Sequence, residues 1–247
     1  MSNSNLVSYT RISPNKNSPR NHAIDRISIH CVVGQCTAER IGEIFAPESR
    51  EASSNYGIGL DGRIGMYVEE KDRSWCTSSG ANDHRAVTIE VASDTAHPYA
   101  VKAAAFSALL DLCADICKRN GKKRLLWFGD KEKTLAYTPK ADEMVLTVHR
   151  WFANKACPGE YLYSRHGEIA AEVTKRLAAE DKPAGTGDNP SAWAKAATEY
   201  CKRKGIFAGD GAGNFDWQKP ITREQVAAVL YRTLERAGLL EALPDKK

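Results

Sequence analysis

The sequence predicts an α/β protein, with a mixed central β-sheet flanked by helices over residues 23–179 and a small all-helical module after it. Three observations carry this. Runs of β-branched residues alternate with segments of helical periodicity across 23–179. Residues 180–189 combine Pro, Gly and charge with no apolar anchor, which is a linker by composition. Beyond them, in 190–247, only helical patterns recur. Residues 1–22, polar and carrying Pro14 and Pro19, read as an extended lead-in.

Taken in order, Ala23–Val33 is rich in Ile and Val and reads as a buried strand with His30 near its end. Gly34 breaks it, and Thr37 caps a short helix over Ala38–Phe45, before Pro47. Residues 55–60 and 63–68 flank Asp61-Gly62, the dipeptide preferred in two-residue hairpin turns. A polar loop from Glu69 to Arg85 carries Trp75, and Ala86–Ala92 is a strand with Glu90 embedded in it. Tyr99–Asn120 shows apolar residues at three- and four-residue spacing and ends at Gly121, as a helix would. Arg124–Phe128 and Met144–Val148 are strands, and the polar stretch 129–142 between them fits a loop or short hairpin. Tyr161–Ala179, Ser191–Lys204 and Thr222–Ala237 are helices.

With 35 basic and 31 acidic residues the net charge is +4, far from the footprint of a nucleic-acid binder. No apolar run reaches eighteen residues, so no membrane insertion is expected. The first residues lack a basic segment followed by an apolar one, which predicts a chain kept in the cytoplasm until something releases it. Seven cysteines, an odd number, argue against a disulfide framework and leave thiols available as ligands.

His149, Lys155 and Cys157 fall within nine residues, just ahead of Pro158-Gly159. His and Cys are the side chains zinc prefers, and a lysine beside them can stabilise an oxyanion. The candidate third ligand is His30; the alternative is a structural histidine at a strand end. Three protein ligands and one open position are the pattern of catalytic rather than structural zinc.

Several pieces stand in a telling order: Ile27-Ser-Ile-His30, Ser54-Asn-Tyr-Gly-Ile-Gly-Leu-Asp-Gly62, Val87-Thr-Ile-Glu-Val91, and His149 through Cys157-Pro-Gly159. Through them residues 23–178 resemble the type 2 N-acetylmuramoyl-L-alanine amidases, whose fold is shared by phage lysozyme-amidases and peptidoglycan recognition proteins. Lys155, two before Cys157, matches the phage branch. The resemblance implies His30, His149 and Cys157 as zinc ligands, and hydrolysis of the amide joining N-acetylmuramic acid to L-alanine in peptidoglycan. It implies an oxyanion role for Lys155. Tyr56 matches a hairpin tyrosine that hydrogen-bonds near the zinc-bound water, and Glu90 matches a strand glutamate used as general base. Relatives rely mainly on one or the other, and this chain has both. A glutamate among apolar strand residues is also costly to bury without a partner. Many relatives follow the loop tryptophan with His; here Cys76 follows Trp75. Trp75 and Asn82 are candidates for lining the substrate groove, with loop packing as the alternative.

Residues 188–236 resemble a single S-layer homology repeat, through Asp188, Trp193-Ala-Lys-Ala-Ala197, Gly205-Ile-Phe207, Gly209-Asp-Gly211 and Pro220-Ile-Thr-Arg-Glu224. This implies contact between Trp193 and Arg223 and an anionic secondary cell-wall polymer. Such repeats usually pack in threes, so association of chains through this module is expected. Together these resemblances imply an endolysin as the expected function. The competing readings are a non-catalytic peptidoglycan-binding protein, a host autolysin and a cytosolic muropeptide-recycling amidase.

Overall fold

The structure is a computed structural model that describes residues 2–181, 189–210 and 214–240. Most of the expected linker, and Asp188 and Gly211 of the C-terminal motif, lie outside the described residues. The chain divides into two units, Met1–Ala179 and Glu180–Lys247.

The expected lead-in is part of the first unit. Val7–Thr10 (β1) runs parallel to Ile64–Met66, and Lys16–Asn17 (β2) pairs antiparallel with Arg73–Ser74. The segment is fastened by Arg20, whose buried guanidinium donates to the carbonyls of Glu70, Asp72, Asp83, His84 and Ala86. Those bonds offset the cost of taking a charge out of water. Val7 and Tyr9 add apolar packing against the two clusters of the unit, so a segment of polar composition is held by hydrogen bonds and by two apolar side chains together.

The remaining elements of this unit are β3 (Arg26–Cys31), α1 (Ala38–Phe45), β4 (Tyr56–Ile58), β5 (Ile64–Met66), β6 (Arg73–Ser74), α2 (Gly80–Asp83), β7 (Ala86–Val91), α3 (Ala103–Arg119), β8 (Arg124–Leu126), α4 (Lys131–Ala136), β9 (Glu143–Thr147) and α5 (Gly159–Asp181). Helix α4 lies in the stretch whose sequence suggested only a loop or hairpin. Seven strands form one sheet in the order β1-β5-β4-β7-β3-β9-β8, and every neighbouring pair is parallel except β4–β5. The α/β class with a mixed, helix-flanked sheet is therefore the observed one.

The β4–β5 hairpin differs in detail from expectation. Gly59 N–H bonds to Arg63 O and Gly62 N–H to Gly59 O, each at 2.9 Å, so three residues rather than two form the loop. Gly62 takes φ +86°, and a Cβ there would meet the Ala104 carbonyl oxygen at 2.9 Å. Only glycine accepts both conditions.

Side chains alternate across a strand, and here the alternation sorts chemistry. Ile27 and Ile29 of β3, Val87, Ile89 and Val91 of β7, Ile58 of β4 and Leu146 of β9 join Leu109, Leu112 and Ile116 of α3 and Leu162, Ile169 and Val173 of α5 in the main core. Full burial of each Leu or Ile contributes roughly 1.5–3 kcal/mol, so this face holds the unit together. The other face carries Ser28 and His30 of β3, which pair in register with Thr88 and Glu90 of β7. Ser28 Oγ lies 2.5 Å from Thr147 Oγ1 of β9. A smaller apolar cluster of Ile41, Phe45 and Tyr67 packs α1 nearby.

The second unit contains α6 (Lys195–Arg203) and α7 (Arg223–Ala237), the latter opened by a capping box between Thr222 and Gln225 and closed by Gly238. None of its described residues is buried. Among the described residues no helix is long and apolar enough to cross a membrane.

Candidate metal centre

His30 ends up at the carboxyl end of β3 because the Ile27/Ile29 alternation turns the even-numbered residues away from the core. Parallel sheets commonly present ligands at this end. His30 is fully buried. Its Nδ1 lies 3.3 Å from Cys157 Sγ and 3.9 Å from Glu90 Oε1, and its Nε2 has no hydrogen-bond partner among the described residues. Burial, and then the neighbouring His149 and His166, hold its pKa well below the usual value, so the ring is neutral.

His149 follows β9 and opens a short 3-10 turn, His149–Trp151. Its ring centroid is 5.1 Å from that of His30, and its Nε2 is 3.1 Å from Ser78 Oγ. Burial and the charge of Lys155 lower its pKa. The chain from 149 to 159 folds back on itself: Arg150 N–H donates to Cys157 O, Phe152 N–H to His149 O, and Gly159 N–H to Ala156 O. This return brings Cys157 to the strand end. Gly159 then takes φ +80°, where a Cβ would strike Tyr99 at 2.7 Å, and α5 begins.

The donor atoms of His30, His149 and Cys157 all lie within 4.8 Å of one another. Those of His30, Cys76 and Glu90 satisfy the same limit. All seven cysteines are free. The Cys157 thiol is pushed up by its hydrogen bond with Cys31, by burial and by the charge of Glu90. Its thiolate, the form that ligates, therefore calls for a cation beside it. Glu90 sits opposite, with Oε2 unpartnered and Oε1 3.9 Å from Cys76 Sγ. Burial raises its carboxyl to about 7, with Arg50 pulling the other way. A carboxyl that exchanges a proton near neutrality beside a cluster of metal-binding donors can serve as an acid–base group.

Lys155 is exposed at the mouth and close enough for its charge to act on His149. Trp75 is half-buried and donates from Nε1 to Asn17 Oδ1 at 2.7 Å.

Two expected site residues are placed elsewhere. Tyr56 pairs in register with Ile89, and Gly57 with Glu90, so the Tyr56 side chain shares the core face rather than the face of His30 and Glu90. There its hydroxyl donates to Glu70 Oε1 at 2.7 Å and accepts from Ser4 N–H at 3.0 Å. Burial, and then the charge of Glu70, raise its pKa far above the ordinary phenol value. Asn82 is buried on α2, where Oδ1 accepts from Arg26 and Nδ2 donates to Ser28 Oγ at 3.0 Å. It holds α2 to the sheet and has no free polar group for substrate.

In sequence Cys76 stands out only as a departure from the family pattern, and Ser78 and Asp83 not at all. Asp83 is buried and accepts from Cys76 N–H, Thr77 N–H and Thr77 Oγ1, which moulds the loop that brings Cys76 to Glu90 and Ser78 to His149.

In the second unit Trp193 is 89% exposed, and Arg223 is exposed at the first position of α7. A cleft of about 640 Å³ is lined by Phe207, Phe215, Trp217, Pro220, Gln225 and Arg232, and neither Trp193 nor Arg223 lines it.

Residues 19–160 match the family model described as N-acetylmuramoyl-L-alanine amidase, and residues 188–227 match the S-layer homology domain. Similar solved structures include the catalytic domain of XlyA (13% identity, 67% of this chain and 97% of that one, TM-score 0.47). The endolysin N-acetylmuramoyl-L-alanine amidase LysCS from Clostridium intestinale URNW is another (19% identity, 68% and 92%, TM-score 0.46). A third is the Drosophila peptidoglycan recognition protein SA (16% identity, 62% and 81%, TM-score 0.44). No curated protein matches the chain. Because the family match spans more than half of the chain, from the Arg20 clamp past the return that carries Cys157, and an S-layer homology match covers 188–227, this chain belongs to the N-acetylmuramoyl-L-alanine amidases.

Proposed function

We propose that the chain hydrolyses the amide between the lactyl group of N-acetylmuramic acid and L-alanine, with zinc held by His30, His149 and Cys157. The observation that carries this reading is the convergence of two neutral imidazoles and one thiol within 4.8 Å, at strand ends and facing Glu90. The donor set fits the ion. Zinc bonds of 2.0–2.3 Å in a tetrahedron separate ligand atoms by roughly 3.3–3.8 Å, and His30 Nδ1 and Cys157 Sγ are 3.3 Å apart. When bound, zinc polarises the scissile carbonyl and lowers the pKa of a water molecule to near neutrality.

The chain's own groups do the rest. Glu90 takes a proton from the attacking water and returns it to the departing amine of L-alanine, a role that its carboxyl near 7 supports. The exposed Lys155 ammonium stabilises the oxyanion that develops on the carbonyl oxygen. Tyr56 has no part in this, being on the other face of the sheet. Trp75, half-buried with its indole N–H on Asn17, offers its ring face to the glycan or peptide stem.

The C-terminal segment docks the enzyme on the wall. Trp193, almost fully exposed, offers a stacking face to a sugar, and Arg223 an anion-binding fork to a secondary cell-wall polymer. Leu230 at 57% and Tyr231 at 55% exposure leave an apolar side of α7 uncovered, which supports association of chains through this module. The combination suits an endolysin, released from the cytoplasm to the wall when a phage lyses its host.

Zinc analysis of the purified protein and mass spectrometry of digested walls test the reading. The expected result is one zinc per chain and new L-alanine amino termini without new reducing sugars. Intact walls with tight binding would instead indicate a non-catalytic peptidoglycan binder. Cys157→Ser is expected to lose both zinc and lysis, and retention of either would overturn the ligand assignment.

A further inference from the structure

The two imidazoles of the cluster are held by different means. His30 is enclosed on a central strand, where packing and the contacts of Nδ1 with Cys157 and Glu90 hold its ring, and its Nε2 has no hydrogen-bond partner among the described residues. His149 is only half-buried at the start of a turn, with the tilted His30 ring on one side, 5.1 Å away between centroids. What reaches it is Ser78 Oγ, 3.1 Å from His149 Nε2 and contributed from 71 residues away in sequence.

Ser78 is also strained. It takes φ +60°, a conformation that serine rarely adopts. The loop compels it from both sides. On one side, Asp83 accepts from Cys76 N–H at 3.0 Å and from Thr77 N–H at 3.1 and 3.2 Å. On the other, Ser79 caps α2 through Asn82 N–H at 3.3 Å. A strained residue that its surroundings hold in place, aimed at a candidate ligand, invites a functional explanation.

A neutral imidazole has one donor nitrogen and one acceptor nitrogen, and the partner of the first decides what the second can do. We propose that Ser78 is a positioning residue of the metal site: its hydroxyl accepts a hydrogen bond from His149 Nε2–H and so presents His149 Nδ1 as the ligand atom. This rests on the zinc reading above. Ser78 touches neither substrate nor the reacting bond, and acts through His149. Losing such an outer partner typically weakens metal binding 10–100-fold. Because this bond lies at the exposed mouth, the lower end of that range applies.

The test uses the full-length protein loaded with zinc, and the variant Ser78→Gly, which removes the hydroxyl while accepting φ +60° without strain. Competition with a chelator should show roughly tenfold weaker zinc binding in the variant, with the melting temperature of the chelator-treated protein no lower than that of the wild type. Proton–nitrogen correlation spectra should show the His149 proton on Nε2 in the zinc-loaded wild type, protected from solvent exchange. In Ser78→Gly that resonance should broaden through exchange. Equal zinc affinity in the two proteins, or a proton found on His149 Nδ1, would overturn the proposal while leaving the zinc reading intact. A wild-type protein that takes up no zinc would overturn both.

Discussion

Replacing Tyr56 with phenylalanine separates the two faces of the sheet. The hydroxyl sits among Glu70, Ser4 N–H and the core, on the side away from His30 and Glu90. Its removal leaves Ser4 N–H without its bond, while Glu70 keeps the Arg119 guanidinium at 2.6 and 3.0 Å. One buried donor stranded in this way costs about 1–3 kcal/mol. In a unit of this size each kcal/mol lowers the melting temperature by roughly 2–4 °C, so Tyr56→Phe should melt about 2–12 °C lower. Its turnover of a soluble muropeptide, measured well below both melting temperatures, should stay within about twofold of wild type. A proton-transfer residue would instead lose roughly 10²–10⁴-fold. An unchanged melting curve with a hundredfold slower reaction would show that the register argument is wrong.

Glu90→Gln keeps the shape but removes the acid–base group; turnover is expected to fall about 10²–10⁴-fold with zinc content unchanged, and a near-wild-type rate would exclude the proton-transfer role. His166 is fully buried with Nδ1 2.6 Å from Leu162 O, and burial lowers its pKa to about 4. The unfolded chain takes up that proton near pH 6.5 and the folded one does not, so stability present above pH 6.5 is lost as pH falls towards 4. The loss approaches about 3 kcal/mol. Urea titrations across that range should give a flatter pH dependence for His166→Phe, and an identical slope would refute the assignment. A chain ending at Glu180 keeps the whole sheet and core. It should cut soluble fragments at the full rate and intact walls more slowly, whereas equal lysis of whole cells would count against a targeting role.

The parts of the molecule that could be read in advance are those governed by local pattern. The Ile and Val runs marked β3 and β7, the leucine spacing marked α3, and the zinc-preferring side chains marked His149 and Cys157. Glu90 was conspicuous because a carboxylate in an apolar strand demands a reason. What escaped depends on tertiary register. Tyr56 looked like a site residue because it lies in the right hairpin, but alternation in β4 turns it to the core face, and only the pairing with β7 reveals that. Asn82 fits both groove lining and loop packing in sequence, and its amide, spent on Arg26 and Ser28, serves packing. Ser78 carries no distinctive spacing at all; its meaning comes from a loop shaped by Asp83. The N-terminal strand escapes because its four residues, Val7–Thr10, are a short run inside a polar segment, and its fastening, Arg20, is a residue type that composition assigns to the surface.

That fastening has a consequence for where the enzyme can be cut or grafted. The sheet ends at β1, which covers the hydrogen-bonding edge of β5. A catalytic unit excised at residue 23, where the apolar pattern begins, would leave that edge bare and free to pair with another molecule. The same cut would release the loops whose carbonyls Arg20 gathers, including the one that shapes the Ser78 turn. A tail that looks dispensable thus sets the modular boundary, and chimaeras built from this enzyme should carry its first twenty-two residues with them.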